Sequence, residues 1–127
     1  MKITTNYAAQ IWIGFKLGYD KLPYDYNSKD IYRRLKNEIR EYVDANPVGV
    51  TVTKTQFIYP GGDEYGAVIG LINYARFPKT EAEIKAIALE LGAILMKKFE
   101  QYRISVTFDA YSLNGSILLE NDELKEK

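Results

Sequence analysis

Apolar and polar residues alternate along "QIWIGFKLGY": Ile11, Ile13, Phe15, Leu17 and Tyr19 fall on one side, Trp12, Gly14 and Lys16 on the other. A period of two is that of a half-buried strand. "DKLPYDYN" follows, its proline and Asp/Asn residues punctuating a loop. From Asn27 or Ser28, either of which can cap a helix, the period changes. Ile31, Leu35, Ile39, Tyr42 and Val43 recur at helical spacing, Arg33, Arg34, Lys36, Glu38 and Arg40 take the outer face, and Pro47 ends the run. Alternation returns in "VGVTVTKTQFIY" and again in "YGAVIGLINYARF", with "PGGDE" as the turn of a hairpin and Pro78 as the end of its second strand.

Thr80 to Glu83 reads T-x-x-E, a capping box that satisfies two backbone donors at a helix start. The helix it opens is predicted to run to about Tyr102, with Ile84, Ile87, Ala88, Leu91, Ile94, Leu95 and Phe99 inward. "RISVTFDAY" is the next strand, Asn114-Gly115 a two-residue hairpin turn, and "SILLEN" a short last strand before the solvated "DELKEK".

The order β-α-β-β-α-β plus one strand predicts an α+β fold, a ferredoxin-like sandwich with both helices on one face of an antiparallel sheet. It reads as a single domain over residues 1–127, with residues 1–8 and 121–127 as flexible ends. The first and third strands take the middle of the sheet. A face without helices ordinarily alternates to polar. Here Val68, Ile72, Tyr74 and Trp12 point to it, and the second helix carries Leu89, Ala93 and Met96 outside its main stripe. Apolar surface of that extent is normally covered, so a homodimer or higher assembly is expected.

Composition narrows the function. Lys plus Arg equals Asp plus Glu at 17 each, so the net charge is zero. That argues against binding DNA, RNA or membranes through a general basic surface. No apolar run approaches a membrane span and "MKITTNYAAQ" lacks a signal-peptide core, which makes the cytoplasm the expected compartment. Cysteine and histidine are both absent, removing thiol nucleophiles, zinc-thiolate sites and the commonest general base. With no nucleophile–base pair in view, the expectation is a binding protein with no cofactor, not an enzyme. Eleven tyrosines supply flat faces with a hydroxyl at the end, suited both to strands and to stacking on bases.

Arg76-Phe77-Pro78, where the third strand meets the second helix, is the most suggestive cluster. A phosphate there would meet free N–H groups and the positive end of the helix dipole, with Arg76 as a bidentate donor and Phe77 as a stacking face. Equally, Phe77 packs on the helix and Arg76 faces water. Asn73, an amide in an otherwise apolar strand, needs a partner from the backbone or from a ligand. Arg103, at the far end of the second helix, neutralises the helix C-terminus or joins the site. Asp63-Glu64 on the hairpin turn can attract a cation but falls far short of a calcium loop.

"GLINYARFP", the capped helix "TEAEIKAIALELGAILMKKF" and "QYRISVTF" together resemble the first type of Thoeris anti-defence protein, small phage nucleotide sponges, over roughly residues 9 to 120. The resemblance implies an oligomer that sequesters a cyclic ADP-ribose isomer, or a cyclic oligonucleotide, without degrading it. On that expectation the ligand-binding residues are Asn73, Arg76, Phe77 and Arg103, chosen on physical grounds and not carried over from the family. Two alternatives stay open: a structural or interaction module of phage origin, and a carboxylate-dependent nucleotide phosphodiesterase.

Overall fold

The computed structural model describes residue 1 and residues 7–15, 29–109 and 114–124. The predicted loop after the first strand, that strand's last residues from Lys16, and the cap at Asn27 or Ser28 lie outside the described residues. The elements run β1 (Ala8–Gly14), α1 (Lys29–Ala45), β2 (Val50–Tyr59), β3 (Gly62–Ile72), α2 (Glu81–Lys98), β4 (Arg103–Asp109) and β5 (Asn114–Glu120), with a 3-10 turn at Asp122–Leu124. All five strands form one antiparallel sheet in the order β2-β3-β1-β4-β5. This is the α+β, ferredoxin-like arrangement that the periodicities predict, with β5 extending the β4 edge.

Strand parity sets the two layers. Ile11 pairs with Ile69 on one side and Val106 on the other, and all three are fully buried beneath the helices. Leu35 on α1 and Leu91 and Leu95 on α2 close over them, also with no exposed surface. Burying such side chains contributes roughly 1.5–3 kcal/mol each. The capping box forms as predicted: Thr80 Oγ1 accepts from the Glu83 N–H at 3.1 Å, and Glu83 Oε1 accepts from the Thr80 N–H at 2.8 Å.

Element ends depart from the pattern at four places. β3 stops at Ile72, so Asn73 lies just past the strand and not in its middle. The Asn73 N–H donates to the Tyr7 carbonyl at 3.1 Å, and its side-chain Oδ1 accepts from the Lys79 N–H at 2.9 Å, closing the loop from Asn73 to Lys79. The hairpin turn between β2 and β3 is only Pro60-Gly61, with Gly61 at φ 85°, which places Asp63 and Glu64 on the strand. Asn114 and Gly115 are the first residues of β5, paired with Asp109 and Phe108, and residues 110–113 lie outside the described residues.

The fourth departure is the end of α2, which stops at Lys98 and not near Tyr102. Glu100 takes the left-handed conformation (φ 49°), its N–H donates to the Lys97 carbonyl, and the Gln101 N–H reaches back to the Met96 carbonyl. These bonds are a Schellman stop, built here without the usual glycine. Met96, expected outside the main stripe, is buried, whereas Leu89 and Ala93 are half-buried.

Candidate functional site

The helix-free face of the sheet carries the even-numbered residues of β1 and β3 and the residues paired with them. Two glycines face each other there, Gly14 on β1 and Gly66 on β3. Glycine within a strand leaves room for something to lie close to the backbone. Here that something is a pair of neighbouring side chains. The Glu64 carboxylate lies over Gly14, so close that a Cβ on Gly14 would meet Oε2 at 2.2 Å. The Phe57 ring lies over Gly66, where a Cβ would meet Cε2 at 2.6 Å. Register explains the pairing, since Phe57 sits directly opposite Glu64 in the β2–β3 hairpin.

Trp12, the single tryptophan, completes the cluster. Its ring meets Phe57 edge-on, with centroids 6.5 Å apart and an interplanar angle of 62°. The indole N–H donates to Thr107 Oγ1 at 3.0 Å, and the Thr107 hydroxyl donates to Gln10 Oε1 over a longer 3.4 Å. Trp12, Phe57 and Glu64 are each half-buried. A carboxylate beside two aromatic rings suits a cation with apolar substituents, attracted by the ring faces and by the negative charge. Further along the same face, Ala8, Gln10, Thr107, Asp109 and Asn114 line a polar cavity of about 430 Å³.

The residues proposed from sequence fall in two places. Asn73, Arg76 and Phe77 share the loop that leads into α2. Phe77 packs edge-on to Tyr74 (centroids 6.1 Å), the Arg76 guanidinium stands 5.5 Å from the Phe77 centroid, and both Arg76 and Phe77 are exposed. Arg103 opens β4, whose far residue Asp109 aligns through Ala8 with Ile72 at the end of β3. Six residues of strand therefore separate Arg103 from the other three, about 20 Å at about 3.3 Å per residue. Arg103 pairs with Glu120 at 3.3 Å and covers the Tyr102 ring at 4.6 Å. The cluster of Trp12, Phe57 and Glu64 was not chosen from sequence. Its available signal was Gly14 and Gly66, isolated glycines inside strand patterns, which mark close approach to a backbone.

No protein-family model and no curated protein sequence matches this chain. Two solved structures share its fold. A phage SAM lyase in complex with S-methyl-5'-thioadenosine aligns over 92% of this chain and 91% of its own, with a TM-score of 0.69 and 16% identity. A phage SAM lyase in the apo state aligns over 91% and 90%, with a TM-score of 0.63 and 18% identity. Two expectations are corrected by this finding, the cyclic-nucleotide sponge and the protein without enzymatic activity. The fold is shared with a lyase along nearly the whole chain, and nothing in the comparison supports sequestration. The absence of His and Cys removes two kinds of catalytic group and leaves carboxylate chemistry open, so it does not by itself exclude an enzyme.

Proposed function

We propose that this chain is a phage enzyme that cleaves S-adenosylmethionine (SAM), releasing S-methyl-5'-thioadenosine. The observation that carries it is the Glu64 carboxylate held over Gly14 beside the Trp12–Phe57 pair, a seat for a sulfonium ion. The fold shared with the phage SAM lyase supports it.

The chemistry suits these residues. The bond between sulfur and the Cγ of the methionine chain breaks with its electron pair going to sulfur, which leaves as a neutral thioether. The four-carbon fragment regains an electron pair in one of two ways. Either the proton on its adjacent carbon passes to a base and a double bond forms, or its own carboxylate closes onto Cγ as a lactone. Both routes discharge the cation, and neither consumes water. Positive charge on sulfur is lost in the transition state, so the role of the rings and of Glu64 is to seat the sulfonium and orient the chain, not to stabilise a charge that disappears. Glu64 is the base in the first route and a positioning anchor for the substrate in the second.

Incubation with SAM at a protein concentration far below substrate, followed by chromatography, tests the activity, with heat-denatured protein as the blank. Release of S-methyl-5'-thioadenosine by the parent, reduced at least tenfold in Glu64→Gln, is expected. A parent rate equal to the blank overturns the assignment. The two possible second products are isomers, and proton NMR separates them.

Self-association belongs to the same proposal. Ile72, at the end of β3, and Leu118, on the edge strand β5, are 49% and 54% exposed, apolar area at the rim of the helix-free face that a second copy would cover beside the substrate site. Light scattering coupled to gel filtration tests it, and a clean monomer of 14.6 kDa would remove it.

A further inference from the structure

We infer that the polar cavity of Gln10, Thr107, Asp109 and Asn114 takes the α-amino-acid end of the substrate, and so discriminates SAM from its own product. This rests on the lyase assignment above and says which part of the substrate goes where.

The placement follows from strand geometry. Gln10 stands two residues from Trp12 on the same face of β1, about 7 Å along the strand. In SAM, three carbons separate the sulfonium from the carboxylate, a span on the order of 5 Å at ~1.5 Å per bond. A sulfonium at the Trp12–Phe57–Glu64 cluster therefore sends its amino-acid end to Gln10 if the chain runs along β1 toward Ala8. In the opposite direction stand Glu64 and Phe57, the residues that seat the sulfonium, and beyond them Tyr59 and Gly62 at the end of the β2–β3 hairpin.

The chemistry of the cavity matches that end. Asp109 is an exposed carboxylate at the cavity edge and supplies the charge for the α-ammonium. Gln10 and Asn114 supply amide N–H groups for the α-carboxylate, an extended pose that holds it away from Cγ and so fits the elimination route rather than lactone closure. Gln10 is oriented for this by the chain of bonds described above: its Oε1 accepts from Thr107, which turns the amide NH2 away from Thr107. Thr107 in turn accepts from Trp12. The aromatic wall and the polar cavity are thus joined by two hydrogen bonds, and Thr107 and Gln10 act as positioning residues for the Trp12 ring. The cavity, about 430 Å³, exceeds what an amino-acid group needs, leaving space for its water.

Two thioethers separate the halves of the site. S-adenosylhomocysteine keeps the amino-acid end, and S-methyl-5'-thioadenosine lacks it. Calorimetric titration of the parent and of Asp109→Asn with each ligand is the test, with melting temperature as the control for folding. The expected result is a loss of about tenfold for S-adenosylhomocysteine, equivalent to about 1.4 kcal/mol, and no more than a twofold change for S-methyl-5'-thioadenosine. If the parent binds both and the variant leaves both unchanged, or weakens both equally, the amino-acid end lies elsewhere and the inference falls while the lyase assignment stands. If the parent binds neither ligand and releases no product from SAM, the lyase assignment itself fails and takes the inference with it.

Discussion

Gly14→Ala separates the function of the Glu64 carboxylate from the stability of the fold. A methyl group at residue 14 would stand 2.2 Å from Glu64 Oε2 and 2.6 Å from its Cδ. The carboxylate must retreat by about 1 Å before an ordinary contact is restored. It is the end of a flexible, half-buried side chain, so the retreat costs little. The strand itself gains, because alanine loses less backbone entropy on folding than glycine, by roughly 0.5–1 kcal/mol. Gly61 is the one positive-φ glycine among the described residues, so residue 14 accepts a side chain without backbone strain. The variant should therefore melt at or slightly above the parent temperature.

Catalysis should respond in the opposite direction. A group displaced by about 1 Å from a reacting centre loses on the order of a hundredfold in rate, near 2.8 kcal/mol. Initial rates of S-methyl-5'-thioadenosine release, read beside thermal melting, give both quantities from one preparation. Gly66→Ala is the contrast. There the new Cβ meets the Ile13 carbonyl at 2.2 Å, a backbone atom that cannot step aside, so the fold should lose about 1–3 kcal/mol. A Gly14→Ala protein that melts like the parent and also turns over SAM like the parent would refute the role given to the Glu64 carboxylate.

Trp12 is the single tryptophan, so its fluorescence should shift or quench when S-methyl-5'-thioadenosine binds; unchanged emission at saturation, shown by calorimetry, would remove it from the site. Glu100→Gly should raise stability by about 0.5–1 kcal/mol in denaturant titration, because residue 100 sits at φ 49° in a Schellman stop; a loss would mean that the Glu100 side chain has a role of its own. Thr80→Ala should cost about 1 kcal/mol through the lost cap. The Thr80 N–H, with the Thr80 hydroxyl second, holds the Glu83 carboxyl below its ordinary 4.5, so its contribution is present above that value and fades as pH falls through the folded pKa. Thr80→Ala keeps that N–H, so the larger part of this pH dependence should survive in the variant and be lost in Glu83→Gln. Tyr42→Phe removes the 2.6 Å bond to Glu90 and should cost about 1–2 kcal/mol at neutral pH. Burial first, then that bond and the Glu90 charge, raise the Tyr42 hydroxyl above its ordinary 10.0, so the unfolded chain ionises first and parent stability falls as pH rises past 10. The variant should lack that slope.

Most of the fold was legible because it depends on local periodicity. Ile11, Ile13, Leu35, Leu91 and Leu95 are all buried where a period of two or of 3.6 placed them. The T-x-x-E signal gave the start of α2 because both partners of the cap lie within one turn. Element ends were less legible, since each is set by a partner distant in sequence. Asn73 leaves β3 because Tyr7 and Lys79 are there to receive it, and α2 stops where Glu100 turns left-handed without a glycine to announce it. The helix-free cluster is a product of register. Parity puts Trp12, Phe57 and Glu64 on one face, but only the pairings Gly14–Gly66 and Phe57–Glu64 bring the carboxylate and the two rings together.

Two consequences follow from the missing histidine and cysteine, and only one of them is about this site. Without those side chains no thiolate attacks and no imidazole shuttles a proton near neutral pH. Reactions that require either are excluded; catalysis as such is not. A sulfonium is already charged and already a leaving group, so the protein's task reduces to excluding water, holding the reacting carbon and anchoring the substrate at both ends. On the proposed reading, aromatic rings, the carboxylates of Glu64 and Asp109 and a set of amides would do that work, and they need only a surface on which to lie. In this sheet two opposed glycines provide the surface, which makes the smallest side chains on the helix-free face as much a part of the site as Trp12 or Glu64.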